Sequence, residues 1–201
     1  MSTGKLKIFK IFFAHAAIHF ALGENVPYFQ RFSVDFAAKE PGTDGCDTVR
    51  FLMSANAGEA LRPISKIASG GELARIMLAL KNVLAEQEQI ATLVFDEVDT
   101  GVSGRAAQKV AEKLAQLACH KQVLCVTHLP QLAAMAGTHF LVEKGEQNGR
   151  TFTKVVELDR EARKAEIARI TGGSQVTDAL LASAADILDQ AAAYRAQLRE
   201  R

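Results

Sequence analysis

The feature that most constrains this chain is a short apolar run, Leu93-Val94-Phe95, that leads directly into two adjacent carboxylates, Asp96 and Glu97. A brief apolar run of this kind predicts a buried strand of a parallel sheet. Ligands of open α/β sheets bind where parallel strands end, which is where the two acids should lie. One acid can hold Mg²⁺ and the other can orient or deprotonate an attacking water. An isolated pair is more often a solvated strand end, so the surrounding sequence must decide.

Helices and strands alternate around this run. Before it, five apolar residues at helical spacing predict a helix from Gly70 to about Gln87, with one face formed by Leu73, Ile76, Met77, Leu80 and Leu84. After it, the pattern predicts a helix over 103–118 with Val110, Leu114 and Leu117 facing inward, a strand over 122–127 and a short helix over 130–135. Strand–helix alternation implies right-handed crossovers and a mainly parallel sheet.

Two further regions alternate with a period of two and predict antiparallel hairpins. The first joins strands at 30–38 and 49–53 through turn residues, and the second joins 138–144 to 151–157. An irregular connection is expected over 54–68, and helices near 160–170 and 177–198 close the chain. The predicted fold class is therefore α/β, with a mainly parallel sheet flanked by helices and antiparallel strands near the amino terminus and at 138–157.

Composition bounds the function only loosely. The 201 residues suit one compact domain or a large piece of one, and a net charge of +1 indicates no particular partner. Three cysteines without a disulfide spacing favour a reducing compartment. The crowded Cys119, His120, Cys125 and His128 invite a zinc interpretation, but two of them flank a buried strand and none has the paired spacing of structural zinc sites.

Residues 1–26 are treated as a separate segment. Three lysines precede an apolar run over 11–22, which loosely imitates a signal peptide, but His15 and His19 interrupt it and no clean cleavage site follows. The run is also too short to span a bilayer as a helix. A core helix or a non-native start is the preferred interpretation.

The segment Ser69-Gly70-Gly71-Glu72 opens the first predicted helix. Two glycines let backbone N–H groups approach a phosphate, and a helix amino terminus favours negative charge. Ser69 suits either a helix cap or a donor to a phosphate oxygen. Taken alone, such a segment is more often only a capped helix than a functional loop.

His128 follows the strand predicted over 122–127, so it should emerge at the same sheet edge as Asp96 and Glu97. An imidazole placed there can reach a terminal phosphate or its attacking water. A lone histidine after a strand is usually structural, but this one falls where a phosphate sensor is needed.

Together these elements resemble the ABC ATPases: a signature loop at Ser69–Glu72, a Walker B strand ending at Asp96 and Glu97, a D-loop over 99–104 and the switch histidine His128. Glu72 and Val98 depart from the transporters of that family, which usually have Gln and Pro there. The chain is closer to the RecN family, an SMC-like group. That similarity covers roughly residues 27–190, including RPISKIASGGELARIMLALK, TLVFDEVDTGVSGRAA and QVLCVTHLPQLAA.

The resemblance implies the carboxyl-terminal part (27–201) of an ABC-type P-loop NTPase head that uses ATP and Mg²⁺. Asp96 would complete the Mg²⁺ site, Glu97 would be the catalytic base and His128 would sense the γ-phosphate. The signature residues Ser69, Gly70, Gly71 and Glu72 would help to bind ATP held by the opposite subunit, where the first three would contact its γ-phosphate. Asp99 would lie at the dimer seam. In the family, paired heads couple hydrolysis to DNA double-strand-break repair and recombination, in the cytoplasm near the nucleoid and without a membrane partner.

A phosphate loop of the form G-x-x-x-x-G-K-[ST] does not occur in the sequence. Without it, the β- and γ-phosphates lack their main cradle, so hydrolysis by this chain alone is not expected. Three interpretations follow: a RecN-type head portion that needs an amino-terminal half, a non-catalytic fragment that docks on a full-length head, or the ATPase part of another SMC-like complex.

Overall fold

A computed structural model describes residues 31–43, 45–54, 58–67, 69–147, 149–173 and 175–200. The expectations for segment 1–26 lie outside the described residues. The elements follow one another as β1 (Arg31–Gly42), β2 (Gly45–Ser54), β3 (Arg62–Pro63), α1 (Ile64–Ile67), α2 (Gly70–Leu84), β4 (Thr92–Phe95), α3 (Gly104–Leu117), β5 (Gln122–Cys125), α4 (Pro130–Met135), β6 (Phe140–Gln147), β7 (Arg150–Glu157), α5 (Arg160–Gly172) and α6 (Asp178–Arg199).

The strands β4 and β5 form a parallel pair, with Phe95 opposite Cys125. One face of the pair packs on a core contributed by α2, α3, α4, α5 and α6. Val110, Leu114 and Leu117 of α3 are buried there, which confirms the predicted inward face of that helix. In the part of the chain described, parallel pairing is limited to these two strands.

The other face of the β4–β5 pair is not covered by the described residues. Val94, Leu124 and Val126 are 68%, 48% and 63% exposed. The prediction of fully buried strands was therefore wrong for one face. Sequence shows that both faces are apolar, but it does not show whether a second layer is present to cover them.

Helix α2 also differs from its prediction. Of the five residues assigned to one face, Ile76 is buried and Leu80 is half-buried, but Leu73, Met77 and Leu84 are exposed. The side that packs on the protein instead includes Arg75, Leu78 and Ala79. Most positions of this helix are apolar, so the spacing supports more than one stripe and only tertiary contacts choose between them.

The antiparallel strands form two separate sheets. β1 and β2 form a hairpin in which Val34 faces Phe51, and β6 pairs with β7 so that Val142 faces Val155. The connection predicted as irregular contains β3, which extends the first sheet by pairing Met53 with Arg62, and the single-turn helix α1. The prediction missed both elements because two to four residues carry almost no periodic signal.

Two arginines from the last helices bind the carboxyl end of α4. Arg163 Nη2 donates to the carbonyl of Ala136 at 2.7 Å, and Arg195 Nη1 donates to those of Ala134 and Met135 at 3.1 Å. Guanidinium groups suit this position because the last carbonyls of a helix lack partners and carry partial negative charge. The two arginines thus fix the helix that begins just after His128.

Within the described ranges, no helix combines the length and the apolar character needed to cross a bilayer.

Candidate active site

The segment Ser69–Glu72 forms a capping box at the start of α2. The Glu72 amide donates to Ser69 Oγ at 3.3 Å, and the Ser69 amide donates to Glu72 Oε2 at 2.8 Å. These are the reciprocal bonds that satisfy two of the free donors of a helix start. The side chains of Ser69 and Glu72 therefore hold the loop in shape, while Gly70 lies exposed between them.

The two glycines of this loop bring it against the acidic end of β4. A Cβ on Gly71 would lie 2.7 Å from the Thr100 carbonyl oxygen and 3.0 Å from that of Glu97. A Cβ on Gly70 would instead meet the Glu97 carboxylate, at Oε2. At Gly71 a side chain would meet main-chain atoms, so only glycine permits this approach, while Gly70 leaves room for the Glu97 carboxylate. Together the two glycines join the two predicted motifs into one site.

Asp96 and Glu97 both lie exposed where β4 ends, as the sequence predicted. The Glu97 amide donates to Asp96 Oδ1 at 2.9 Å, and the Thr100 amide closes a turn by donating to the Glu97 carbonyl at 3.0 Å. Within this turn Glu97 adopts a left-handed backbone with φ of 59°. Such a conformation is uncommon for a residue with a Cβ and is found often at functional sites.

The buried Arg75, which the sequence analysis did not single out, ties α2 to the loop after β4. Its Nη1 donates to the carbonyl of Thr100 at 2.7 Å and to that of Val98 at 3.3 Å. The available signal was a charged residue within a helix of otherwise mostly apolar residues, because a buried charge needs a specific partner. The same arginine therefore ties the helix that begins at the Ser69–Glu72 loop to the acidic turn.

Asp99 and His128 lie together where β4 and β5 end. The Asp99 side chain is 4% exposed, and its Oδ2 accepts from Thr127 Oγ1 at 2.6 Å and from the His128 amide at 3.0 Å. His128 Nδ1 lies 3.2 Å from the same oxygen, although the imidazole itself is 74% exposed. The histidine thus stands at the same strand edge as the acids, in keeping with its predicted location.

Cys125, at the end of β5, is close enough to Asp99 and Asp96 to feel their charge. Burial raises the pKa of its thiol to about 12, and the nearby charges of Asp99 and Asp96 act in the same direction. The thiol therefore stays protonated at neutral pH and is a poor metal ligand.

The residues present fit part of a nucleotide site. Gly70 offers an exposed main chain at a helix start, which suits a phosphate oxygen. Asp96 offers one oriented carboxylate, and Mg²⁺ in nucleotide sites takes one or two carboxylates together with phosphate oxygens. The assignments of Ser69, Gly70, Gly71, Glu72, Asp96, Glu97, Asp99 and His128 to particular roles remain predictions.

A pair of glycine substitutions tests how each glycine of the loop packs against its neighbours. We expect Gly71→Ala to lower the free energy of unfolding by about 1–3 kcal/mol, because its methyl group meets main-chain atoms that cannot move aside cheaply. Gly70→Ala should cost less than about 0.5 kcal/mol, since the atom it meets is the tip of an exposed glutamate. Urea denaturation of both variants measures the difference; equal losses would show that the loop does not pack as described.

About three quarters of this chain is similar in sequence to curated DNA repair proteins. It is 50% identical over 147 residues to the DNA repair protein RecN of Bacillus subtilis (strain 168), covering 73% of this chain and 26% of that protein. It is 42% identical over 166 residues to RecN of Haemophilus influenzae, covering 83% and 29%. The chain thus spans between a quarter and three tenths of the length of these two relatives.

No protein-family profile matches the chain. Among solved structures, the Smc head domain with a coiled coil and joint derived from Pyrococcus yayanosii superposes with a TM-score of 0.57 at 17% identity, covering 83% of this chain and 30% of that one. This superposition confirms the predicted α/β fold of an ABC-type head lobe.

Proposed function

Because this chain is a relative of the DNA repair protein RecN and has the fold of an SMC-type head lobe, we propose that it contributes the signature loop and the hydrolytic carboxylates of a RecN-type ATPase. The observation that carries this proposal is the junction of the Ser69–Glu72 loop with Glu97, made possible by Gly70 and Gly71.

In the proposed reaction, Glu97 accepts a proton from the water that attacks the γ-phosphate. Asp96 would hold the Mg²⁺ that neutralises charge on the phosphates. His128 would contact the γ-phosphate or the water from the end of β5. The exposed main chain of Gly70, flanked by the capping box, would bind the γ-phosphate of ATP held by the opposite head.

The missing phosphate loop implies a second polypeptide region. The uncovered face of β4 and β5, formed by Val94, Leu124 and Val126, supports this partner because parallel sheets are normally covered on both faces. We propose that the amino-terminal half of a RecN-type head, which would carry the phosphate loop, packs here. Two such completed heads would then dimerise, and the whole protein would act on DNA in double-strand-break repair.

The decisive experiment measures ATP hydrolysis by the purified chain, by an amino-terminal RecN half, and by their mixture. We expect phosphate release only in the mixture, because only there do the phosphate loop and the carboxylates meet. Association without hydrolysis would instead support the non-catalytic docking fragment. A folded chain that neither associates nor supports hydrolysis would exclude both interpretations.

A charge on the uncovered face should prevent this association. We expect Val126→Asp to weaken binding of the amino-terminal half by at least about 100-fold, because a carboxylate buried without a partner costs several kcal/mol. The control is Val155→Asp, since Val155 is 61% exposed, close to the 63% of Val126, but lies on β7. Isothermal titration calorimetry measures both, and equal weakening would place the contact elsewhere.

A further inference from the structure

The carboxylate of Asp99 accepts hydrogen bonds from two adjacent residues, Thr127 and His128. Thr127 supplies a hydroxyl at 2.6 Å and His128 supplies its amide at 3.0 Å, both to Oδ2. The Asp99 side chain is 4% exposed, and both of these donors come from its own chain. A buried carboxylate is stable only when donors are directed at it, as they are here.

Thr127 has a defined orientation in this arrangement. Its Oγ1 accepts from the Leu129 amide at 3.0 Å, so its single hydrogen is free to point at Asp99. Leu129 precedes the first residue of α4, whose far end is fixed by Arg163 and Arg195. The main chain on both sides of His128 is therefore anchored, and the ring is the part left to orient.

The same oxygen, Asp99 Oδ2, lies 3.2 Å from Nδ1 of the His128 ring. A carboxylate beside one ring nitrogen favours a proton on that nitrogen, which leaves the other nitrogen for chemistry. The ring is 74% exposed, so its far side is accessible. Contacts of this kind are often long in the absence of substrate and shorten when it binds.

We propose that Asp99 is a positioning residue that keeps the proton of His128 on Nδ1 and so presents Nε2 to the reacting phosphate or its water. The role in hydrolysis rests on the proposed function; the state of the ring does not. This differs from a role for Asp99 at the seam between two heads, where its carboxylate would have to reach a partner chain.

The proton position can be measured on the chain alone. With ¹⁵N-labelled histidine at a pH of about 8.5, well above the ordinary imidazole pKa of about 6.5, long-range ¹H–¹⁵N spectra identify the protonated nitrogen. We expect Nδ1–H for His128 in the unmodified chain, with its signals assigned from His128→Ala. A predominant Nε2–H form would overturn the proposal without the need for any Asp99 variant.

Variants then test the cause. Asp99→Ala should shift His128 toward a mixture of both tautomers, while Asp186→Ala, a change at an exposed position on α6, should leave it unchanged. If Asp99→Ala does not fold, Asp99→Asn keeps the shape and removes the charge. An unchanged tautomer in a folded Asp99→Ala chain would contradict the proposal.

Kinetics in the mixture with an amino-terminal half show whether Asp99 acts through His128 or at the seam between two heads. We expect Asp99→Asn to lower kcat by about 10- to 100-fold with little change in the KM for ATP. Combined with His128→Ala, it should add nothing to the loss from His128→Ala alone. Additive losses would mean that Asp99 acts independently of His128. A mixture without hydrolysis would contradict the proposed function. The spectra would still show which nitrogen of the His128 ring carries the proton.

Discussion

Replacing Glu97 with Gln is expected to reduce ATP hydrolysis in the mixture of this chain with an amino-terminal RecN half by roughly 10²- to 10⁴-fold. Glutamine preserves the length and hydrogen-bonding shape of the side chain but cannot accept a proton from the attacking water. The exposed carboxylate lies against Gly70 at the end of β4, so the change should leave the core intact. Steady-state phosphate release measures the effect.

Binding and folding provide the controls for this variant. ATP binding by the mixture should persist in Glu97→Gln, because the proposed base contributes to the chemical step and not to holding the phosphates. The matched control is Glu86→Gln, since Glu86 is exposed just beyond the end of α2. Hydrolysis at the unmodified rate in Glu97→Gln would show that the base lies elsewhere.

Arg75→Ala should lower the free energy of unfolding by about 2–4 kcal/mol. The guanidinium of Arg75 makes charged hydrogen bonds to the carbonyls of Val98 and Thr100, each worth about 1.5–3 kcal/mol in such a setting. Alanine would leave a buried carbonyl without a donor and a space beside α2. Urea denaturation of the chain measures the loss.

Two further arginine variants test this explanation. Arg105→Ala, at an exposed position near the start of α3, should change stability by less than about 0.5 kcal/mol. Arg75→Lys keeps the charge but not the planar fork, so we expect a loss between those of the other two. If Arg75→Ala is no more damaging than Arg105→Ala, the link between α2 and the loop after β4 does not support the fold.

The candidate site was largely predictable because its parts carry strong local signals. An apolar run ending in two acids predicted β4 and the position of Asp96 and Glu97, and the strand before His128 predicted its edge. Gly70 and Gly71 suggested a close approach, but the atoms they approach belong to a loop more than twenty residues away. Neither the partners of Arg75 nor the surroundings of Asp99 could be inferred, since both depend on contacts between separate elements.

The core was predicted unevenly for a related reason. In α3 the apolar residues lie on one side, so spacing identified Val110, Leu114 and Leu117 correctly. In α2 nearly every side is apolar, and Leu73 and Met77 proved exposed while Arg75 is buried. Hydrophobic spacing reports that a face can be buried, but the neighbouring elements decide whether it is.

Sequence by itself therefore determined the order of the helices and strands, the α/β class and the residues at the ends of β4 and β5. These follow from local preferences and periodicity, which depend on residues a few positions apart. Tertiary structure alone decided that Glu97 meets Gly70, that Arg75 joins α2 to the acidic turn, and that Asp99 faces His128. Those contacts join residues that are distant along the chain, and they arise only when the elements pack around the shared core.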